Sequence, residues 1–95
     1  MPIVAEDLEQ LRKEIERIDR ALVGLVRERV HVARLVLRAK EAAGLPVVDL
    51  AQERAVIERA ATAARAAGLP PEEIGAVFTQ VVEITRRAEL AVSRK

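Results

Sequence analysis

Between Leu8 and Ala39 the apolar side chains return in alternating steps of three and four: Leu8, Leu11, Ile15, Ile18, Leu22, Leu25, then Val32, Val36 and Ala39. Such spacing is the seam of a long amphipathic helix, sustained here over more than four heptads. One seam position breaks the pattern, because Arg29 stands where Leu or Val is expected. Farther along, the chain is punctuated in two places only, at "AAGLPVVD" (42–49) and "AAGLPPEE" (66–73). Each sets a Gly where a helix C-terminus needs the left-handed conformation and a Pro just beyond it. The segments between them are rich in Ala, Leu, Arg and Glu, all strong helix formers. Asp49 is placed to cap a second helix, and Pro71 with Glu72 and Glu73 suits the first turn of a third. The spacing therefore predicts helices near 5–43, 50–67 and 71–92 within a single all-α domain, 1–95.

Length makes this arrangement awkward. At 1.5 Å per residue the first helix spans more than about 50 Å, whereas a compact chain of this size has a radius of gyration near about 12 Å. Two shorter helices cannot cover so long a stripe. The pattern calls for a second copy of the chain and an intertwined helical homodimer.

A guanidinium on a buried seam is costly unless it is paired. Lys40 follows Arg29 by 11 residues, which is about 16–17 Å along the helix and a turn of only about 20°. Two long cations on one face can close on a small dianion between them. Arg12 adjoins the same stripe, but about 25 Å from Arg29 along a straight helix. It reaches that ligand only from the partner of an antiparallel dimer.

Composition narrows the field further. Half the chain is apolar (51%) and a third charged (33%), with a net charge of +1, one Phe, no Trp, no Tyr and no Cys. There is no basic excess for a polyanion and no aromatic platform for stacking bases, so nucleic acid is not an expected partner. Without Cys, disulfide and thiolate chemistry are excluded, as suits a reducing cytoplasm. No apolar run approaches a membrane span, and "MPIVAEDLEQ" has neither the basic nor the apolar region of a signal peptide. The expectation is a cytoplasmic protein with no membrane association. No cofactor or metal site is expected, and the single His31 reads as a helix-surface or interface residue.

The run "LRKEIERIDRALVGLVRERVHVARLVLRAKEAAGLPVVDLAQER" strongly resembles the all-helical chorismate mutases, the AroQ class. The shared features are an early L-R-x-x-I-x-x-I-D, an E-R about 17 residues later, an A-K closing the long helix, and a D-x-x-x-E-R opening the second. The resemblance extends from residue 8 to about 90. It implies an entwined homodimer with two active sites, no cofactor, and rearrangement of chorismate to prephenate for aromatic amino acid biosynthesis. Position by position, it implies that Arg12 is supplied across the interface and that Arg29 clamps a carboxylate. Lys40 would contact a carboxylate and the ether oxygen, and Asp49 and Glu53 would lie near the ring hydroxyl. Thr85 and Glu89 occupy the places where the family usually has Ser and Gln.

Two departures stand out. Gln52 replaces the family's Arg, removing one cation, and Arg54 points some 200° away on the helix. Glu89 must be protonated to donate a hydrogen bond, which a Gln amide does at any pH. Burial raises its pKa and Lys40 lowers it, and the residues alone leave that balance open. An activity that falls as pH rises through neutrality is the resulting expectation. The same resemblance leaves isochorismate-pyruvate lyase and a 4-amino-4-deoxychorismate mutase as neighbouring activities. From another class comes a non-catalytic helical dimerisation or regulatory module. It also admits docking to another shikimate-pathway enzyme.

Overall fold

The structure, a computed structural model, describes residues 5–93. The first four residues of "MPIVAEDLEQ", on which the signal-peptide reading partly rests, lie outside this range. Three helices and, among the described residues, no strand make up the fold: α1 (Ala5–Ala42), α2 (Leu50–Ala66) and α3 (Pro71–Ser93). They agree with the predicted helices to within a residue at each described end. No helix among the described residues is long and apolar enough to cross a membrane.

The helix ends follow from local chemistry. Gly44 and Gly68 adopt φ of 69° and 75°. Beyond α1, Leu45 N–H donates to Lys40 O (2.8 Å) and Gly44 N–H to Glu41 O (3.2 Å). Beyond α2 the same pair recurs, Leu69 to Ala64 (2.8 Å) and Gly68 to Arg65 (3.2 Å). Both are Schellman closures, in which a left-handed Gly lets the chain turn back on carbonyls the helix leaves unpaired. Asp49, in extended conformation, caps α2 by accepting Gln52 N–H at 3.0 Å.

α3 packs against both other helices, whereas α1 and α2 make no close backbone approach among the described residues. The molecule measures 61 × 28 × 15 Å with a radius of gyration of 17.7 Å, well above the roughly 12 Å of a compact chain this long. Its core is correspondingly small: Leu37 of α1, Ala60 and Ala64 of α2, and Val82 of α3, with Thr85 the buried polar residue among those described. Small Ala side chains let α2 lie close on α3. The N-terminal part of α1 is uncovered. Leu8, Leu11, Ile15, Ile18, Leu22 and Leu25 remain 41–60% exposed. An apolar seam of this size on a monomer's surface marks a surface built to be covered.

A substituted Cβ at Gly68 would meet no atom within 4 Å, so the cost of Gly68→Ala is backbone strain alone. The variant is expected to lose about 1–2 kcal/mol of unfolding free energy, read from the denaturation midpoint with an unchanged slope.

Candidate active site

The seam arginine lies where α1 meets α3. Arg29 Nη1 donates to Thr85 Oγ1 at 2.7 Å, and the Thr85 hydroxyl donates in turn to Val81 O at 2.8 Å. Thr85 is only 5% exposed, so its oxygen is a fixed acceptor that sets the position of a half-buried guanidinium. One of five N–H donors is occupied, and the rest of the fork is available to a ligand. At the far end of α1, Lys40 Nζ donates to Val47 O at 3.3 Å, tying its ammonium to the loop before α2.

Arg29, Lys40, Gln52, Glu53, Thr85 and Glu89 all line one cavity of about 310 Å³ between the three helices. Its apolar walls include Val32, Val36, Val56 and Val82. A volume of this order is at the lower end for small-molecule sites. Two of the residues singled out in the sequence stand elsewhere. Asp49 is exposed, does not line the cavity, and has a carboxylate oxygen engaged in the helix cap. Arg12 is exposed on the uncovered part of α1 and does not line the cavity either. Arg54 faces a neighbouring groove, as the helical angle from Gln52 predicts, and His31 is exposed.

Sequence reasoning missed two cations of this cavity, Arg59 and Arg86. Both were accessible from periodicity. Arg59 follows Gln52 by seven residues, which returns it to the same face of α2, and Arg86 lies four after Val82 and three before Glu89 on α3. Arg86 grips Glu53 with two donors: Nε to Oε2 at 3.2 Å, and Nη2 to Oε1. Its pKa is raised further by that hydrogen bond and by the Glu53 charge. The cation lost at Gln52 is thus not the whole account of the pocket's charge. Four cationic side chains and two acids line it.

Glu89 resolves the balance that the sequence left open. Its carboxyl is raised above its ordinary value of 4.5, chiefly by burial, with the Glu53 charge adding to the rise and Lys40 and Arg29 opposing it. Among the described residues no ion pair joins Glu89 to either base. Burial outweighs the cations, and the proton is held to higher pH than on a solvated Glu. The described residues contain no group of three or more His, Cys, Asp or Glu able to hold a metal ion.

The cavity thus combines cationic side chains, apolar walls and an acid whose pKa burial raises. Residues 11–90 match the family Chorismate mutase type II, and the chain belongs to that family. It is also 36% identical over 75 residues to the bifunctional chorismate mutase/prephenate dehydratase of Aquifex aeolicus (strain VF5). That alignment covers 79% of this chain and 19% of the relative, so the chain corresponds to about a fifth of that protein.

Replacing Thr85 by Val removes the acceptor that fixes Arg29. Thr85→Val is expected to cost about 1 kcal/mol of stability, below the roughly 1.5–3 kcal/mol of a hydrogen bond to a charged group because Arg29 is partly solvated. Thr79→Val breaks only a neutral bond to Gly75 O on the same helix and is the control, with a loss under about 0.5 kcal/mol. Urea denaturation of the two variants measures the difference.

Proposed function

We propose that this chain is a chorismate mutase acting as a homodimer, converting chorismate to prephenate within the pocket of Arg29, Lys40 and Glu89. The observation that carries the reading is this set: a positioned guanidinium, an ammonium and a carboxyl whose pKa burial raises, around one apolar-walled cavity. Membership in the Chorismate mutase type II family supports it.

The rearrangement is an intramolecular [3,3] shift. One C–O bond breaks as one C–C bond forms, and no atom or electron enters from outside. The protein has two tasks, to hold the reacting ends together and to stabilise charge where it develops. Arg29 provides the planar fork that suits a carboxylate. Lys40 and protonated Glu89 donate toward the ether oxygen, on which negative charge grows as the C–O bond lengthens. The valine walls favour the compact conformer over the extended one. Glu53 accepts from the ring hydroxyl. Asp49 assists at that end from the α2 cap, with Gln52 and Thr85 completing the polar lining.

The uncovered seam is the ground for the dimer. Covering Leu8 through Leu25 with a partner's α1 contributes roughly 1 kcal/mol or more per side chain, given that each is about half-exposed. An antiparallel partner also carries its Arg12 to the open side of the pocket, where it adds a second clamp for the dianion. The chain acts in the cytoplasm on a soluble dicarboxylate, and it is compatible with docking to another enzyme of the shikimate pathway.

The deciding experiment is incubation with chorismate and, separately, with isochorismate, followed by product identification. Prephenate from chorismate is expected. Salicylate and pyruvate from isochorismate would assign the chain to the lyase reaction instead, and turnover of neither would leave a non-catalytic module. Arg29→Ala is expected to lower kcat/KM by at least about 1,000-fold, or roughly 4 kcal/mol, while light scattering still reports a folded dimer. Unfolding of the variant with normal turnover by the surviving fraction would make Arg29 structural.

The protonation state of Glu89 sets the pH profile. Its active form is the neutral acid, and its pKa lies above the ordinary 4.5. Activity is therefore full below that raised pKa and declines as pH climbs through it. Glu89→Gln, which donates without titrating, is expected to flatten the decline in kcat/KM. An unchanged profile in the variant would remove Glu89 from the reaction.

A further inference from the structure

The residue that the sequence reading passed over has the most specific contact in the pocket. Arg86 of α3 meets Glu53 of α2 across 33 residues of sequence, with both carboxylate oxygens engaged by separate N–H groups. The Glu53 side chain is 21% exposed and that of Arg86 39%. The pair is also a partition. Glu53, Arg86 and Val82 line both the cavity described above and a second groove of about 500 Å³ between α2 and α3. A forked, two-point contact at such a boundary fixes the plane of the carboxylate as well as neutralising it.

We propose that Arg86 is a positioning residue of the pocket: it orients and neutralises Glu53, so that a dianion is admitted beside an acid and the Glu53 oxygens are presented to a hydroxyl. This rests on the reading of the cavity as a chorismate site. The argument is one of charge and lone pairs. A bare Glu53 would face the incoming carboxylates at close range in a half-open cavity, where repulsion is less screened than in bulk water. With Arg86 in place the pair is close to neutral, and each Glu53 oxygen retains a lone pair for a ligand hydroxyl.

Glu53 also faces Glu89. The groups set around Glu89 are Arg29 and Lys40 on α1, Gln52, Glu53 and Arg59 on α2, and Arg86 on its own helix. Of these, the Glu53 charge adds to the effect of burial in holding the Glu89 proton. Arg86 therefore fixes one of two acids on the cavity and, by pairing with it, moderates its field on the other. A pair that only stapled α2 to α3 would influence stability and nothing else. A positioning pair also moves KM and the Glu89 titration, and it does so only while Glu53 is charged.

The test is a double-mutant cycle on this chain with Arg86→Met, Glu53→Gln and the combined variant, each checked for folding by circular dichroism. Arg86→Met is expected to raise the KM for chorismate by about tenfold with a smaller change in kcat. In the same variant, carbon NMR of the labelled Glu89 carboxyl is expected to show a higher pKa and a pH profile displaced upward. In the Glu53→Gln background the Arg86→Met change should alter KM and the Glu89 titration by less than about twofold and about 0.3 of a pH unit. Arg86→Lys keeps a charge without the fork, so it should restore the Glu89 titration but not the full KM.

Equal effects of Arg86→Met in both backgrounds would overturn the proposal, because Arg86 would then act on the ligand or the fold directly. So would the absence of any effect. If Arg86→Met does not fold, Arg86→Lys in the two backgrounds supplies the same comparison through KM. If the wild-type chain turns over no chorismate, the proposed function fails, while the Glu89 titration still decides whether Arg86 acts through Glu53.

Discussion

One hydrogen bond organises this molecule: Arg29 Nη1 to Thr85 Oγ1, at 2.7 Å, across the junction of α1 and α3. A charged side chain on an apolar seam is tolerable only where it is paired or wet. The buried hydroxyl of Thr85 supplies one partner and the cavity supplies the rest. Because Thr85 is itself anchored on Val81 O, the acceptor cannot drift. The guanidinium is thereby held at the edge of the small core formed by Leu37, Val82 and the α2 alanines. Had Leu stood at position 29, the seam would be continuous and the helices could close without a hole. Arg29 keeps the hole open, and the polar residues of α2 and α3 face the space it preserves.

The second constraint is geometric. A helix from Ala5 to Ala42 is far longer than the two helices that follow, and α3 reaches only its C-terminal part. Under the proposed dimer, stability and function depend on the same covering surface. The exposed leucines and isoleucines from Leu8 to Leu25 need cover, and under the proposed dimer the covering helix brings Arg12 with it. In that proposal, a side chain about 25 Å from Arg29 within its own helix serves the other protomer's pocket. The length of α1 is what makes such an exchange geometrically possible.

Most of the fold was legible because its signals are local. The glycines at 44 and 68, the Asp49 cap and the heptad steps each act within a few residues, and each appears where the pattern places it. The gathering of Arg29, Lys40, Gln52, Glu53, Thr85 and Glu89 around one cavity follows from helix register together with the family resemblance. What escaped was the pairing between helices. Helix periodicity puts Arg86 of "EITRRAEL" and Arg59 of "AVIERAAT" on the right faces, but that Arg86 grips Glu53 shows only when α2 and α3 are laid together. The Glu89 balance was hidden for the same reason, since burial is a property of three packed helices and not of one. Asp49 shows the reverse case, a residue with two readings of which the local one, the helix cap, is plainly occupied.

The substitution at Gln52 gains a different meaning from this. Considered alone, it removes a cation and weakens a dianion site. In the folded chain the pocket still carries Arg29, Lys40, Arg59 and Arg86 against Glu53 and Glu89, and burial raises the Glu89 pKa from its ordinary value. Whenever Glu89 is neutral and Glu53 is matched by Arg86, the unmatched charge on the lining is positive, which suits the proposed dianion. Gln and Glu in place of a base and an amide are therefore compatible with one another. Partial burial raises the pKa of the acid at 89, and with an amide at 52 the positive charge of the lining lies on other residues. A site of this kind would bind its ligand through a charge balance that depends on pH, where a site built with Arg and Gln at these two positions would not.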